Sequence, residues 1–187
     1  MHSGLACRTH FLRPGDIVTT ETGTSSADGR ELFPPENTLF VNSSIWLSSG
    51  FMLPAAQGAC LSQRHLQTQG PTILFEGDGS FQVTAQELSA IIRKRLDIIV
   101  FLTNNNGFNI ERLIHGCDAE NNEVALSRYL ESLRCYGVPT DGSYEAQTAK
   151  VETWGQLHAL LADGNFQAGF GGGRAGQTLT PRNIQAY

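Results

Sequence analysis

No apolar run in this chain approaches the roughly 20 residues that a membrane span needs. Its first residues, MHSGLACRTHFL, lack the long apolar core of a secretory signal, so nothing points to export and a cytoplasmic setting is the expectation. Basic residues are the minority: 13 Lys and Arg against 18 Asp and Glu give a net charge of −5. That balance offers no electrostatic reason to expect a nucleic-acid or anionic-membrane partner. Cysteines are few and scattered, at Cys7, Cys60, Cys117 and Cys135, with no CxxC pair. They read as packing residues in a reduced compartment rather than as metal ligands. Full internal repeats and low-complexity segments are absent too. What is present is a globular composition, 40% hydrophobic and 17% charged, over 187 residues. That is one domain by size, long enough to bury a sizeable core.

The chain is organised around residues 76 to 111, EGDGSFQVTAQELSAIIRKRLDIIVFLTNNNGFNIE. An apolar run, Ile73-Leu74-Phe75, is cut by Gly77-Asp78-Gly79-Ser80. A helical pattern follows, and then a second apolar run, Ile98 to Leu102, is cut by Asn104-Asn105-Asn106-Gly107. This reads as strand, helix, strand. Such a crossover is right-handed and makes the strands parallel, so both polar clusters sit beyond the same, carboxyl end of the sheet. Open α/β sheets bind ligands there. Asp78 offers a carboxylate, Asn105 an amide oxygen 27 residues later, and Gly107 a backbone carbonyl. Three oxygens from adjacent strand ends suit a hard cation such as Mg2+, which completes its shell with water and phosphate. Gly77 and Gly79 allow a phosphate to approach the backbone, and Ser80 can donate to one. A tight hairpin turn at Asp78-Gly79 is the alternative. The helical pattern after it argues against that.

The remaining elements are weaker. A short helix over 1–15 ends at Pro14-Gly15, and 16–20 reads as a strand running into Glu21-Thr22-Gly23-Thr24-Ser25-Ser26. Hydroxyls and glycine after a strand can hold a phosphate, although alone the stretch reads first as an ordinary polar loop. Residues 39–41 form a second short strand. Ala55, Ala56, Gly58 and Ala59 would let a helix pack closely on the sheet, and 64–70 reads as a loop. The crossover helix is expected over 84–96, with Thr84 and Glu87 as a capping box. Leu88, Ile91, Ile92 and the stem of Arg95 share its buried face. Another helix opens at Phe108, with Leu113 and Ile114 apolar. Leu126, Tyr129, Leu130 and Leu133 have helical spacing. A clear helix spans 151–161, with a weaker capping box at Thr153 and Gln156. The glycines from Gly169 to Gly173 suit a flexible tail, so the expected division is a domain over 1–166 and a divergent tail over 167–187.

Gly-Asp-Gly-Ser followed, about two dozen residues later, by Asn-Asn resembles the thiamine diphosphate motif. More narrowly, GDGSFQVTAQEL, NNNGFNIE and ERLIHG resemble the pyruvate decarboxylase family, which includes indolepyruvate and phenylpyruvate decarboxylases. The resemblance runs from about Phe11 to Phe166 and covers that family's C-terminal, diphosphate-binding domain. It implies an α/β fold, a mainly parallel doubly wound sheet with helices on both faces. It also implies Mg2+-dependent binding of thiamine diphosphate within a 2-oxo-acid decarboxylase. By the same resemblance Asp78, Asn105 and Gly107 hold the metal. Thr22, Gly23, Thr24, Gly77, Gly79 and Ser80 hold the diphosphate.

Trp46, Ser48, Gly50 and Phe51 match the family's Trp-Gly-Ser-Ile-Gly-Phe, which sets Leu47, Ser48 and Ser49 beside the cofactor. Two of these depart from it. Leu47 replaces a glycine whose carbonyl accepts from the aminopyrimidine, and Ser49 replaces a large aliphatic residue that props the cofactor in its bent shape. Ile110 falls in the cofactor-contacting NIE segment. Its Glu111 assists proton steps in the family, in an apolar site that would raise its pKa. Without the resemblance Glu111 reads as a first-turn glutamate stabilising a helix N-terminus. His115 reads as structural. The family's catalytic histidines, and the glutamate that activates the aminopyrimidine, belong to other domains. The resemblance therefore implies a dependent half-site. It would be inactive alone, with a 2-oxo acid as substrate only when complemented. It would associate as a homo-oligomer or with a pyrimidine-binding domain. The alternative is a truncated or repurposed, non-catalytic binding module.

Overall fold

The computed structural model describes residues 11–43, 45–68, 70–144, 146–163 and 166. Four strands form one parallel sheet: β1 (Ile17–Thr20), β2 (Leu39–Asn42), β3 (Thr72–Gly77) and β4 (Ile98–Thr103), in the order β2-β1-β3-β4. The runs of β1, β3 and β4 are β-branched, aliphatic and aromatic almost without interruption. That is the pattern of strands covered on both faces. Register aligns Ile17, Thr72 and Ile98 in one row and Thr20, Phe75 and Phe101 in another, so β1, β3 and β4 finish nearly level.

Alternation sends Leu74, Ile98, Val100 and Leu102 to one face. There α2 (Met52–Leu66) and α4 (Glu87–Lys94) cover them with Met52, Leu53, Ala56, Leu88 and Ile91, all fully buried. Val18, Ile73, Phe75 and Ile99 face the other way, against Leu12 and Leu32. The helix α7 (Trp154–Ala162) closes that side through Leu157 and Leu161, which cluster with Phe166 and Phe101. Phe75 and Phe101 stack in register with ring centroids 5.1 Å apart. The expected doubly wound arrangement is what the chain adopts. The capping box at Thr153 and Gln156 forms as expected.

Several local expectations are corrected. The polar Gly77–Ser80 cluster is no loop: β3 runs through Gly77 and α3 (Asp78–Thr84) starts at the next residue, which also excludes a hairpin. The crossover is therefore two helices with a turn at Ala85-Gln86, and the Thr84–Glu87 box does not form. Thr84 Oγ1 instead donates to the Gly50 carbonyl at 2.8 Å. Gly50 has φ +82°, and a Cβ there would overlap the Val83 side chain. Arg95 is not on the buried face; it is exposed, a left-handed C-cap with φ 52°. Arg64 to Leu66 belong to α2 rather than to a loop.

The helical spacing over 118–133 produces only two 3-10 turns, at Glu120–Asn122 and Tyr129–Glu131, before the short α6 (Ser132–Cys135). Leu126 is left 88% exposed there. Residues 11–15 are turn and coil, and the rest of the expected first helix lies outside the described residues. Cys60 packs in the core, but Cys117 and Cys135 are exposed. Cys7 and the segment 167–187 lie outside the described residues, as does the division drawn there.

Candidate functional site

The level strand ends open onto a cavity of about 310 Å³. One wall is the turn after β1 and the short helix α1 (Thr24–Gly29) that it leads into. A second runs from Gly77 to Ser80. The third is formed by Asn105, Gly107 and the start of α5 (Asn109–His115), including Ile110 and Glu111, while Leu47 and Ser49 close one side. Thus Thr22, Gly23, Thr24, Leu47, Ser49, Gly77, Asp78, Gly79, Ser80, Asn105, Gly107, Ile110 and Glu111 are brought to one space. Ser48 is the exception. It lines a neighbouring cavity of about 260 Å³ with Asn42, Trp46 and Phe51. Sequence reasoning missed Arg30, Thr103, Phe108 and Ile114 among the lining residues, and it gave Ser25 and Ser26 no role of their own. The hydroxyl run after β1 signalled the two serines. Nothing local signalled Arg30, because α1 was not foreseen.

Asp78 is 2% exposed, and its Oδ2 accepts from the Gly107 N–H at 2.9 Å. One terminal atom of the Asn105 amide sits 2.7 Å from the Gly107 carbonyl oxygen and 3.1 Å from Asp78 Oδ1. With nitrogen in that place, the amide donates to both. With oxygen there, three oxygens face one another, an arrangement that a cation between them would stabilise. Adjacent ligands of an octahedral magnesium at roughly 2.0–2.1 Å stand about 2.9 Å apart, a value that lies between these two distances. Burial lifts the Asp78 carboxyl above its usual range, opposed by backbone N–H groups that include those of Gly107 and Gly79. A cation would act in the same direction as those N–H groups. Among the described residues no group of three His, Cys, Asp or Glu forms a metal cluster. One carboxylate, one amide and one carbonyl would suit a hard cation that keeps positions for other oxygens better than a structural zinc.

The loop that carries Asn105 and Gly107 is braced from behind. Gly107 has φ +129°, and a Cβ there would run into the Asn122 carbonyl and the Arg112 guanidinium. Arg112 Nη2 donates to the Asn106 carbonyl at 2.6 Å and meets Glu123 Oε1 at 3.2 Å. Asn122, fully buried, accepts from the Phe108 N–H at 2.9 Å and donates through Nδ2 to the Gly116 carbonyl at 2.9 Å. One residue thereby holds both ends of α5.

On the opposite wall Gly23 has φ +75°, a left-handed conformation that glycine adopts without cost. Gly79 lies under the Phe108 ring, where a Cβ could not fit. Gly77 is different: a Cβ there would meet no protein atom within 4 Å and would project into space that a ligand could use. Two buried acids stand behind this wall. Glu21 accepts from the Thr22 N–H at 2.8 Å and the Met52 N–H at 2.9 Å, tying the β1–α1 turn to the start of α2. Glu76, its neighbour on β3, has neither oxygen hydrogen-bonded. Burial first, and the Glu21 charge second, push Glu76 well above the usual carboxylate range.

Glu111 departs from expectation. Its side chain is 46% exposed rather than enclosed by apolar groups, and its Oε2 lies 3.2 Å from His115 Nε2 one turn on. His115, read as structural, is thus the immediate partner of Glu111. Leu113 and Ile114 on the same helix are 80% and 64% exposed. A seven-residue helix with no buried residue is held by its ends rather than by a packed face. Leu47 takes φ +50°, the left-handed region, where a branched side chain is strained.

Residues 21–162 match the family model described as thiamine pyrophosphate enzyme, C-terminal TPP binding domain. The chain is 45% identical over 169 residues to a pyruvate decarboxylase of Aspergillus parasiticus, a match covering 86% of this chain and 29% of that protein. It is 40% identical over 157 residues to a pyruvate decarboxylase of Kluyveromyces lactis, covering 84% of this chain and 27% of that one. It therefore spans less than a third of the length of these relatives. Among solved structures, benzoylformate decarboxylase from Polynucleobacter necessarius superposes with a TM-score of 0.76 at 18% identity, over 97% of this chain and 32% of that one. That likeness concerns the fold.

Proposed function

The chain belongs to the thiamine pyrophosphate enzyme family, as the C-terminal cofactor-binding domain of its pyruvate decarboxylase-like branch. From that premise we propose that it binds thiamine diphosphate through Mg2+, as the cofactor-holding part of a 2-oxo-acid decarboxylase. One observation carries the proposal: the Asn105 amide atom 2.7 Å from the Gly107 carbonyl and 3.1 Å from Asp78 Oδ1, at the carboxyl end of a parallel sheet. Asp78, Asn105 and Gly107 hold the metal. Thr22, Gly23, Thr24, Gly79 and Ser80 hold the diphosphate, with Gly77 leaving room for it. Leu47, Ser49 and Ile110 border the rings.

Thiamine diphosphate, when bound, supplies the electron sink for the bond broken as carbon dioxide leaves. The residues of this chain bind, orient and move protons. Glu111 carries a proton to or from the reacting carbon, and His115, one turn behind it, orients its carboxylate. Exclusion of water falls to a partner surface, because Ile45, Trp46, Leu113 and Ile114 stand exposed beside the two cavities. A pyrimidine-binding domain, from a second copy or another chain, covers them on this reading. A 2-oxo acid enters between the two. A second reading, cofactor binding without turnover, is favoured by Ser49, which leaves open a wall that the family fills with a bulky aliphatic side chain.

Calorimetric titration of the chain with thiamine diphosphate and Mg2+ tests the assignment. Binding is expected to vanish with a chelator and with Asp78→Ala, and to weaken with Asn105→Ala. Heat of binding indifferent to both the chelator and Asp78→Ala would overturn it.

A further inference from the structure

Among the described residues that line the main cavity, Arg30 is the one cation, and Asp78 and Glu111 are the carboxylates. It caps the C-terminal end of α1. Ala27 and Arg30, three residues apart, share one side of α1, and with the N-cap Gly23 both line the cavity. Glycine and alanine leave that face without bulk, so the guanidinium is the first large group along it. The side chain is exposed and makes no ion pair with a described residue. Other arginines are engaged: Arg64 donates to the Lys94 and Arg95 carbonyls, Arg112 to the Asn106 carbonyl, and Arg128 pairs with Glu131.

Other residues lining the same cavity offer anion-binding groups. Thr22, Thr24, Ser25, Ser26 and Ser80 bring hydroxyls to the same space. A planar guanidinium adds a two-pronged donor that matches phosphate oxygens. Charge accounting shows why a cation is wanted. A diphosphate ester carries roughly three negative charges near neutral pH, its terminal group having a last pKa near 6. A divalent metal offsets two of them, and the Asp78 carboxylate adds one back. Among the described residues the cavity has no other positive side chain for the excess.

We propose that Arg30 binds the terminal phosphate of a diphosphate ester in this cavity and so sets its preference for diphosphate over monophosphate. This rests on the cavity being the magnesium and thiamine diphosphate site, and it adds a residue that neither motif contains.

The test is titration of the full chain, with Mg2+, by thiamine diphosphate and by thiamine monophosphate. Wild type is expected to prefer the diphosphate. Arg30→Gln should weaken the diphosphate about tenfold, leave the monophosphate unchanged, and reduce the salt dependence of binding. Arg30→Lys should fall between. Melting temperature should not change, because the side chain is exposed. Asp78→Ala, titrated in parallel, should weaken the diphosphate by a route that Arg30→Gln leaves intact. If wild type binds neither compound, the reading of the cavity fails and the Arg30 assignment with it. If wild type binds the diphosphate in an Asp78-dependent way while Arg30→Gln keeps the full preference, the Arg30 assignment alone is wrong.

Discussion

Asp16 and Asp97 stand immediately before β1 and β4, either side of β3, at the end of the sheet opposite the cavity. Burial first and the Asp16 charge second raise the Asp97 carboxyl from 3.8 to about 6, with Arg64 opposing. Asp97 Oδ1 is buried without a hydrogen-bond partner.

This pair predicts a pH dependence. The folded-state pKa of Asp97 lies above its ordinary value, so the folded chain holds the proton longer than the unfolded one. The contribution of Asp97 to stability is then greatest below pH 3.8, is lost as pH rises towards 6, and is level above that. The loss amounts to roughly 3 kcal/mol at most. Asp97→Asn should remove it, raising the melting temperature at pH 7 and matching wild type near pH 3.5. A gain of the same size at both pH values would show that charge is not the cause.

Leu47 predicts a stabilising glycine. At φ +50° the leucine side chain is strained by about 1–2 kcal/mol. It is 54% exposed, so its removal forfeits little burial. Glycine's greater freedom in the unfolded chain takes back roughly 0.5–1 kcal/mol. Leu47→Gly should therefore gain up to about 1 kcal/mol in denaturant melts. A clear loss would mean that the Leu47 side chain makes a contact worth more than the strain.

Gly79→Ala predicts the opposite sign. The added methyl must displace the Phe108 ring, the residue that opens α5. A cost of about 1–3 kcal/mol is expected, with weaker magnesium-dependent binding as Gly107 and Ile110 shift. Because the cost is one overlap, Gly79→Ala combined with Phe108→Ala should destabilise less than the sum of the single changes. Strict additivity in the double-mutant cycle would disprove the clash.

The chain by itself, supplied with thiamine diphosphate and Mg2+, is expected not to release carbon dioxide from pyruvate or phenylpyruvate at an enzyme's rate. The carboxylates lining the cavity are Asp78, committed to the Gly107 N–H, and the half-exposed Glu111. Glu21 and Glu76 are fully buried behind the wall. Without a further acid or base the loss is typically ~10²–10⁴-fold, and an open cavity adds to it. Enzyme-like turnover in a carbon dioxide assay of the 187-residue chain would refute this.

The strands and the end of the sheet that carries the site were legible in the sequence. Unbroken β-branched and aromatic runs have few other uses, and a strand–helix–strand unit admits one handedness. Asp78, Asn105 and Gly107 could be grouped from spacing alone because the crossover itself brings their strand ends together. Arg30 could not, since it reaches the cavity only because α1 forms and turns one face inward. Thr84 was expected as a cap and is instead a donor to Gly50, a partner 34 residues away that no local pattern specifies. Leu113 and Ile114, apolar in the sequence, are exposed, because α5 is held by Asn122 at its two ends and not by its apolar face. Local propensity and periodicity determined which segments become strands and helices. Which side chains share a cavity, a brace or a field was decided by contacts between residues far apart in the chain, and their free energy exists only once the sheet has assembled.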